Sequence, residues 1–154
     1  MTRYFAYGAN MDLAAMRSRC PHAHSLGPAV LAGYRFFVGL DGWGSVGPCA
    51  GTALHGILWQ LTPRDIAALH AFELLHQGPY EVRHVPVRQG RRSLRAMMYV
   101  LRRRGRGRPR PGYIEAITAA ARQWQLPETY VRTLERLALV GRSSPYAFFT
   151  RENL

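Results

Sequence analysis

The tetrapeptide Thr62-Pro63-Arg64-Asp65 constrains the plan of this chain most, because it sets a helix start in the middle of β-prone sequence. Thr62 suits the cap, Pro63 the first helical position, where its missing N–H costs nothing, and Asp65 the third. The helix is expected to run to about His76, ahead of Gly78-Pro79. Before it, Arg3–Tyr7 reads as a first strand ended by Gly8, and Asp12 caps a short helix through Leu13, Ala14 and Met16 that Pro21 stops. Two β-prone pieces follow, Ala29–Leu31 and Tyr34–Val38, parted by Ala32-Gly33, and then a glycine-punctuated loop over Leu40–Pro48. Ala50–Leu54 and Gly56–Leu61 read as strand material, with a bulge near His55-Gly56. After the central helix come strands at Tyr80–Val87 and Leu94–Val100 around Gln89-Gly90, a loop over Arg102–Pro111, and helices at Gly112–Gln125 and Pro127–Val140, with Gly141 as the stop. Residues 1–154 show no repeat and no linker and read as a single domain. Strands around one embedded helix, then two helices, make an α+β fold.

Composition narrows the class. With 154 residues, 47% hydrophobic and 11% aromatic, the chain can bury a core and is not a disordered segment. No apolar run approaches the roughly 18 residues of a membrane span. The apolar stretch at the amino terminus is broken by Gly8 and Asn10, so no signal peptide is expected and the protein is expected in the cytoplasm. The net charge of +12 favours contact with anions, nucleic acid included. All 21 basic residues are Arg, nine of them between Arg91 and Arg110. Arg102–Arg108 has no interleaved aromatics on which bases could stack, so that stretch reads as a solvated loop, and neither nucleic acid nor membrane is the expected partner. Cys20 and Cys49 form no CxxC pair and are expected as free thiols. Cys20-Pro21-His22-Ala23-His24 holds metal-capable side chains but lacks a second ligand pair at zinc-like spacing, so no metal is expected.

Two features carry chemistry. Stepping about 100° per residue from Ile66 along the central helix, Leu69 falls at about 300° and Glu73 at about 340°, on the face that turns inward. A carboxylate there is paired, neutralised or used. Its place near the helix end also allows it to reach solvent or an arginine, and periodicity leaves both readings open. The second feature is Tyr7-Gly8-Ala9-Asn10-Met11, between a strand and a helix start. A glycine turn there can aim several backbone N–H groups at one point, or can serve as a tight connection in which Asn10 or Asp12 caps. No nucleophile elbow, P-loop or dinucleotide-binding glycine pattern is present. His70 and His76, which flank Glu73, read as helix-surface residues. Tyr34, Trp43 and Trp59 can wall a pocket or fill a core.

In order along nearly the whole chain stand Tyr4–Met11, Arg19-Cys20-Pro21, Leu31–Arg35, Gly51-Thr52-Ala53, Gly56–Leu61, Glu73 with Gly78 and Tyr80 at plus five and plus seven, Pro111-Gly112-Tyr113 and Leu126–Tyr130. Together these segments resemble the γ-glutamylcyclotransferase family. The resemblance implies a small mixed β-barrel flanked by helices, with a cavity between the Gly8 loop and the glutamate. It also implies a cofactor-free reaction, in which the substrate's own α-amine attacks its γ-glutamyl carbonyl, forming 5-oxoproline and freeing an amine, amino acid or peptide. Mapped onto this chain, Glu73 resembles the acid/base, Tyr7, Gly8, Ala9 and Asn10 the loop that holds the glutamyl head group, and Tyr80 and Tyr99 the residues that line or orient the site. Three positions depart from the family's usual pattern: Leu74 for Gly, His70 for Asp and Ala9 for Ser. The competing expectation is a non-catalytic or nucleic-acid-binding module that uses Arg91–Arg110.

Overall fold

The computed structural model describes residues 1–76, 80–102 and 105–140. Gly78, Arg103, Arg104, Gly141 and Ser143-Ser144-Pro145 lie outside the described residues, as do the side chains of Leu74 and His76. Five strands close into a barrel: β1 (Thr2–Ala6), β2 (His24–Val38), β3 (Gly44–Leu61), β4 (Tyr80–Gln89) and β5 (Arg92–Leu101), in the spatial order β1-β3-β2-β4-β5. Neighbouring strands are antiparallel except β1 and β5, which run parallel with Tyr4 opposite Met97. Helices α1 (Leu13–Arg19), α2 (Pro63–His76), α3 (Tyr113–Gln123) and α4 (Glu128–Val140) flank the barrel. This is an α+β fold, a small mixed barrel with helices around it, as the resemblance implies.

Local chemistry explains the two helices nearest the site. Asp12 accepts the Ala14 N–H at 3.3 Å and starts α1. At the start of α2, Asp65 N–H donates to Thr62 Oγ1 at 3.2 Å and Thr62 N–H donates back to Asp65 Oδ2 at 3.1 Å, a reciprocal capping box. Asp65 is buried and also accepts the His22 N–H at 3.4 Å, while the Cys20 thiol donates to the Asp65 carbonyl at 3.5 Å. The Cys20–His22 segment therefore ties the end of α1 to the start of α2. Leu69 is fully buried under α2, one turn before Glu73.

The long β2–β3 hairpin differs from the expected pieces. Ala29–Leu31 and Tyr34–Val38 are parts of one strand, because Gly33, at φ +77°, takes up an irregularity of register rather than ending the strand. The expected bulge at His55-Gly56 is absent: the ladder runs regularly there, with Val30 opposite His55 and Ala29 opposite Gly56. Gly56 instead permits a close approach, since a Cβ would lie 2.5 Å from the Ala6 carbonyl oxygen and 2.7 Å from the Phe5 ring. The loop expected over Leu40–Pro48 shortens to the turn 39–43, because β3 begins at Gly44. β4 and β5 meet as expected around Gly90, whose φ of +60° suits the first position of a two-residue hairpin turn.

Within the Arg102–Pro111 stretch, residues 105–111 are also more ordered than a solvated loop. Gly107 N–H donates to the Val38 carbonyl at 3.0 Å, and Arg110 donates from its backbone N–H to Gly42 O at 3.3 Å and from Nε to Asp41 O at 2.9 Å. Glycine makes this possible, for a Cβ at Gly107 would come 2.5 Å from the Gly39 carbonyl oxygen. Arg102, Arg106, Arg108 and Arg110 still turn to solvent, so charge repulsion is relieved while the backbone packs.

The close approach at Gly56 gives a direct test. Gly56→Ala is expected to lower stability by about 1–3 kcal/mol, the usual effect of overfilling a core. Gly47→Ala, whose Cβ would meet nothing closer than Phe37 at 3.5 Å, should change it far less. Urea denaturation of the two variants checks this, and equal midpoints would contradict it.

Candidate active site

Glu73 sits near the carboxy-terminal end of α2 and is only 5% exposed. Its Oε1 accepts a hydrogen bond from Asn10 Nδ2 at 3.1 Å, and the same amide nitrogen lies 3.1 Å from Tyr4 Oη. Arg19 Nη1 donates to Asn10 Oδ1, so the amide stands between a guanidinium and a carboxyl. Among the described residues Glu73 belongs to no ion pair. Burial pushes its carboxyl up to about 7, with the Arg19 charge and the Asn10 hydrogen bond pulling the other way. The loss of hydration outweighs both.

The opposite wall is the connection out of β1. Gly8 precedes a single 3-10 turn, Ala9–Met11, closed by Met11 N–H on Gly8 O at 3.0 Å and Asp12 N–H on Ala9 O at 3.2 Å. From the other side α3 holds this turn, with Trp124 Nε1 donating to the Met11 carbonyl at 2.7 Å. A Cβ on Gly8 would come within 3.2 Å of Tyr113 Oη. Tyr4, Tyr7, Tyr80, Tyr99 and Tyr113 complete the enclosure with Gly44 and leave a cavity of about 20 Å³. Burial keeps each of these phenols protonated, well above its ordinary range. They act as fixed dipoles: Tyr80 Oη donates to Gly44 O at 3.0 Å, Gly44 N–H donates to Tyr113 Oη at 2.9 Å, and Tyr7 Oη donates to the Tyr99 carbonyl.

All seven residues singled out from the sequence, Glu73, Tyr7, Gly8, Ala9, Asn10, Tyr80 and Tyr99, line this one cavity. Tyr4, Gly44 and Tyr113 join them without having been singled out as site residues, and Arg19 stands behind Asn10. Tyr4, Tyr113 and Arg19 do lie in the segments that carry the family resemblance, whereas Gly44 had no signal beyond its glycine-rich surroundings. His70 is not a plain surface residue: it is half-buried, with Nδ1 2.6 Å from Tyr99 Oη. Tyr34, Trp43 and Trp59 stay outside the cavity, where Trp43 packs edge-on against Tyr113 and Trp59 against Trp124. Among the described residues no three His, Cys, Asp or Glu side chains are grouped as a metal site.

The raised carboxyl links the site to stability. Glu73 goes from an ordinary 4.5 in the unfolded chain to about 7 in the folded protein. Between those values the folded state holds a proton that the unfolded state has released, so stability falls as pH rises through this window and is level on either side. Glu73→Gln removes the slope. Relative to the parent protein, the variant should gain up to about 3 kcal/mol above the window and little below it. Urea denaturation at about pH 4 and about pH 8 reads the difference, and the same gap at both values would contradict a raised carboxyl.

Comparison with known proteins agrees with this architecture. The model of the AIG2-like family matches residues 53–134, just over half of the chain, a span that includes Glu73, Tyr80 and Tyr99. Among solved structures, the chain is similar to one named γ-glutamyl cyclotransferase, at 22% identity over 87% of this chain and 86% of that one, with a TM-score of 0.79. An uncharacterised protein from Homo sapiens is similar at 23% identity over 87% and 86% of the two chains, with a TM-score of 0.78. YkqA from Bacillus subtilis is similar at 23% identity and a TM-score of 0.76, over 90% of this chain and 54% of that longer one. No curated protein matches the sequence significantly. With its barrel shared by these structures and its central half matched by the family model, the chain belongs to the AIG2-like family.

Proposed function

We propose that this protein is a single-domain cytoplasmic γ-glutamylcyclotransferase that needs no cofactor and converts a γ-glutamyl amino acid, peptide or amine to 5-oxoproline and the free amine. The observation that carries the reading is Glu73: a buried carboxyl brought near neutrality, facing a glycine turn across a tyrosine-lined cavity. The likeness in fold to the structure named γ-glutamyl cyclotransferase adds to it.

The chemistry follows from this inventory. The substrate carries its own nucleophile at a ring-forming distance, so proximity supplies much of the acceleration and no protein nucleophile is needed. The α-amine nitrogen bonds to the γ-carbonyl carbon and the amide C–N bond breaks. The proton lost by the attacking amine passes to the departing one. A carboxyl titrating near 7 is well matched to both halves of that transfer, as base and then as acid. Among the described hydrogen bonds none uses the N–H groups of Ala9 and Asn10, which are free to meet the substrate carboxylate or the developing oxyanion. Tyr7, Tyr80 and Tyr99 orient the head group.

Glu73→Gln tests the assignment. Gln keeps the shape and can hydrogen-bond but cannot shuttle a proton, so 5-oxoproline release should fall by roughly 10²- to 10⁴-fold in a folded protein. Release from γ-glutamyl-alanine is the assay, with the melting temperature read on the same sample. Near-normal turnover in a well-folded variant would contradict the mechanism.

A further inference from the structure

We propose that Arg19 is a positioning residue of this site, fixing the Asn10 amide so that its NH₂ edge faces Glu73 and holds the carboxylate in place for the substrate amine. The inference rests on the reading of Glu73 as the acid/base. An Asn amide is nearly symmetric in shape but not in chemistry, since one edge accepts and the other donates. A guanidinium has donors only, so its contact with Oδ1 decides the orientation. The NH₂ edge is then left to Glu73 Oε1 and Tyr4 Oη, each at 3.1 Å. Turned over, the amide would set its oxygen against the ionised carboxylate.

Arg19 is itself held on two sides. It closes α1, and its guanidinium lies 3.8 Å above the ring of Phe72, the neighbour of Glu73 on α2. One side chain thus spans the β1 connection, α1 and α2. Its charge reaches Glu73 through an intervening amide rather than an ion pair. A direct pair would favour the ionised carboxylate strongly and weaken it as a base, whereas the relay offsets only part of the burial. Among the described residues, the other titratable groups facing Glu73 are phenols: Tyr4 and Tyr7 from the β1 end, Tyr80 from β4, Tyr99 from β5 and Tyr113 from α3. His70, on α2 itself, stands behind Tyr99. Among the described residues, Arg19 is the cation that lowers the Glu73 carboxyl.

The experiment compares Arg19→Gln, Arg19→Lys and Glu73→Gln, using γ-glutamyl-alanine as the probe and reading kcat and KM across pH. Arg19→Gln removes the charge, so the acid limb of the kcat profile should move to higher pH. Turnover at neutral pH should drop about tenfold, short of the hundredfold or more expected for losing the acid/base itself, with KM changed less than kcat. Arg19→Lys, which keeps a charge and a donor, should restore the limb toward its original place even where it fails to restore the melting temperature. A purely structural Arg19 gives the opposite pattern, lower melting temperatures in both variants and an unmoved limb, and would overturn the proposal. Full activity in Glu73→Gln would overturn the underlying reading instead, and the proposal with it. An inactive Glu73→Gln with an unmoved limb in Arg19→Gln overturns the role of Arg19 alone.

Discussion

The structure turns on the buried carboxyl of Glu73, which among the described residues has no ion-pair partner. Glu73 is taken out of water by α2 and the barrel end, and among the described residues its compensation is one amide hydrogen bond and one cation placed a residue away. Burying a charge so incompletely satisfied is costly, and the group answers by keeping its proton toward neutral pH. A stability liability and a chemical capacity are here the same property. The surrounding phenols fit this arrangement, because they offer dipoles without adding charge.

The barrel brings these groups together from distant parts of the chain. β1 ends at the glycine turn, β4 and β5 supply Tyr80 and Tyr99, and α3 reaches across with Tyr113. The parallel contact of β1 with β5 closes the ring and sets Tyr4 edge-on against Tyr99, with ring centres 5.8 Å apart. The capping box of α2, tied to α1 through Cys20 and His22, fixes where the helix carrying Glu73 begins. The arginine-rich segment supports the site indirectly: it lies along the 39–43 turn, and β3 starts immediately beyond that turn at Gly44, which Tyr80 and Tyr113 grip.

Much of this was legible in the sequence where local chemistry and global packing agree. The angular position of Glu73 between Ile66 and Leu69 survives folding because α2 is regular and one face of it is buried. The caps at Asp12 and Thr62 are read correctly because side-chain hydrogen bonds act over two or three residues. The long hairpin was not legible, since Gly33 looks like punctuation. In the fold it takes a positive φ within a strand that continues past it. The relay through Arg19 could not be read from periodicity either. It depends on α1 and α2 meeting, and on a guanidinium lying over Phe72, contacts that no local pattern encodes.

The proposed chemistry requires that Glu73 carry its proton into the neutral range while remaining able to release it. Titration of its side-chain carboxyl carbon by carbon-13 NMR in the folded, ligand-free protein tests this most directly. A midpoint near 7 is the predicted result. A midpoint at the ordinary value of 4.5 would mean that the carboxylate is ionised throughout the working range, and would contradict the account.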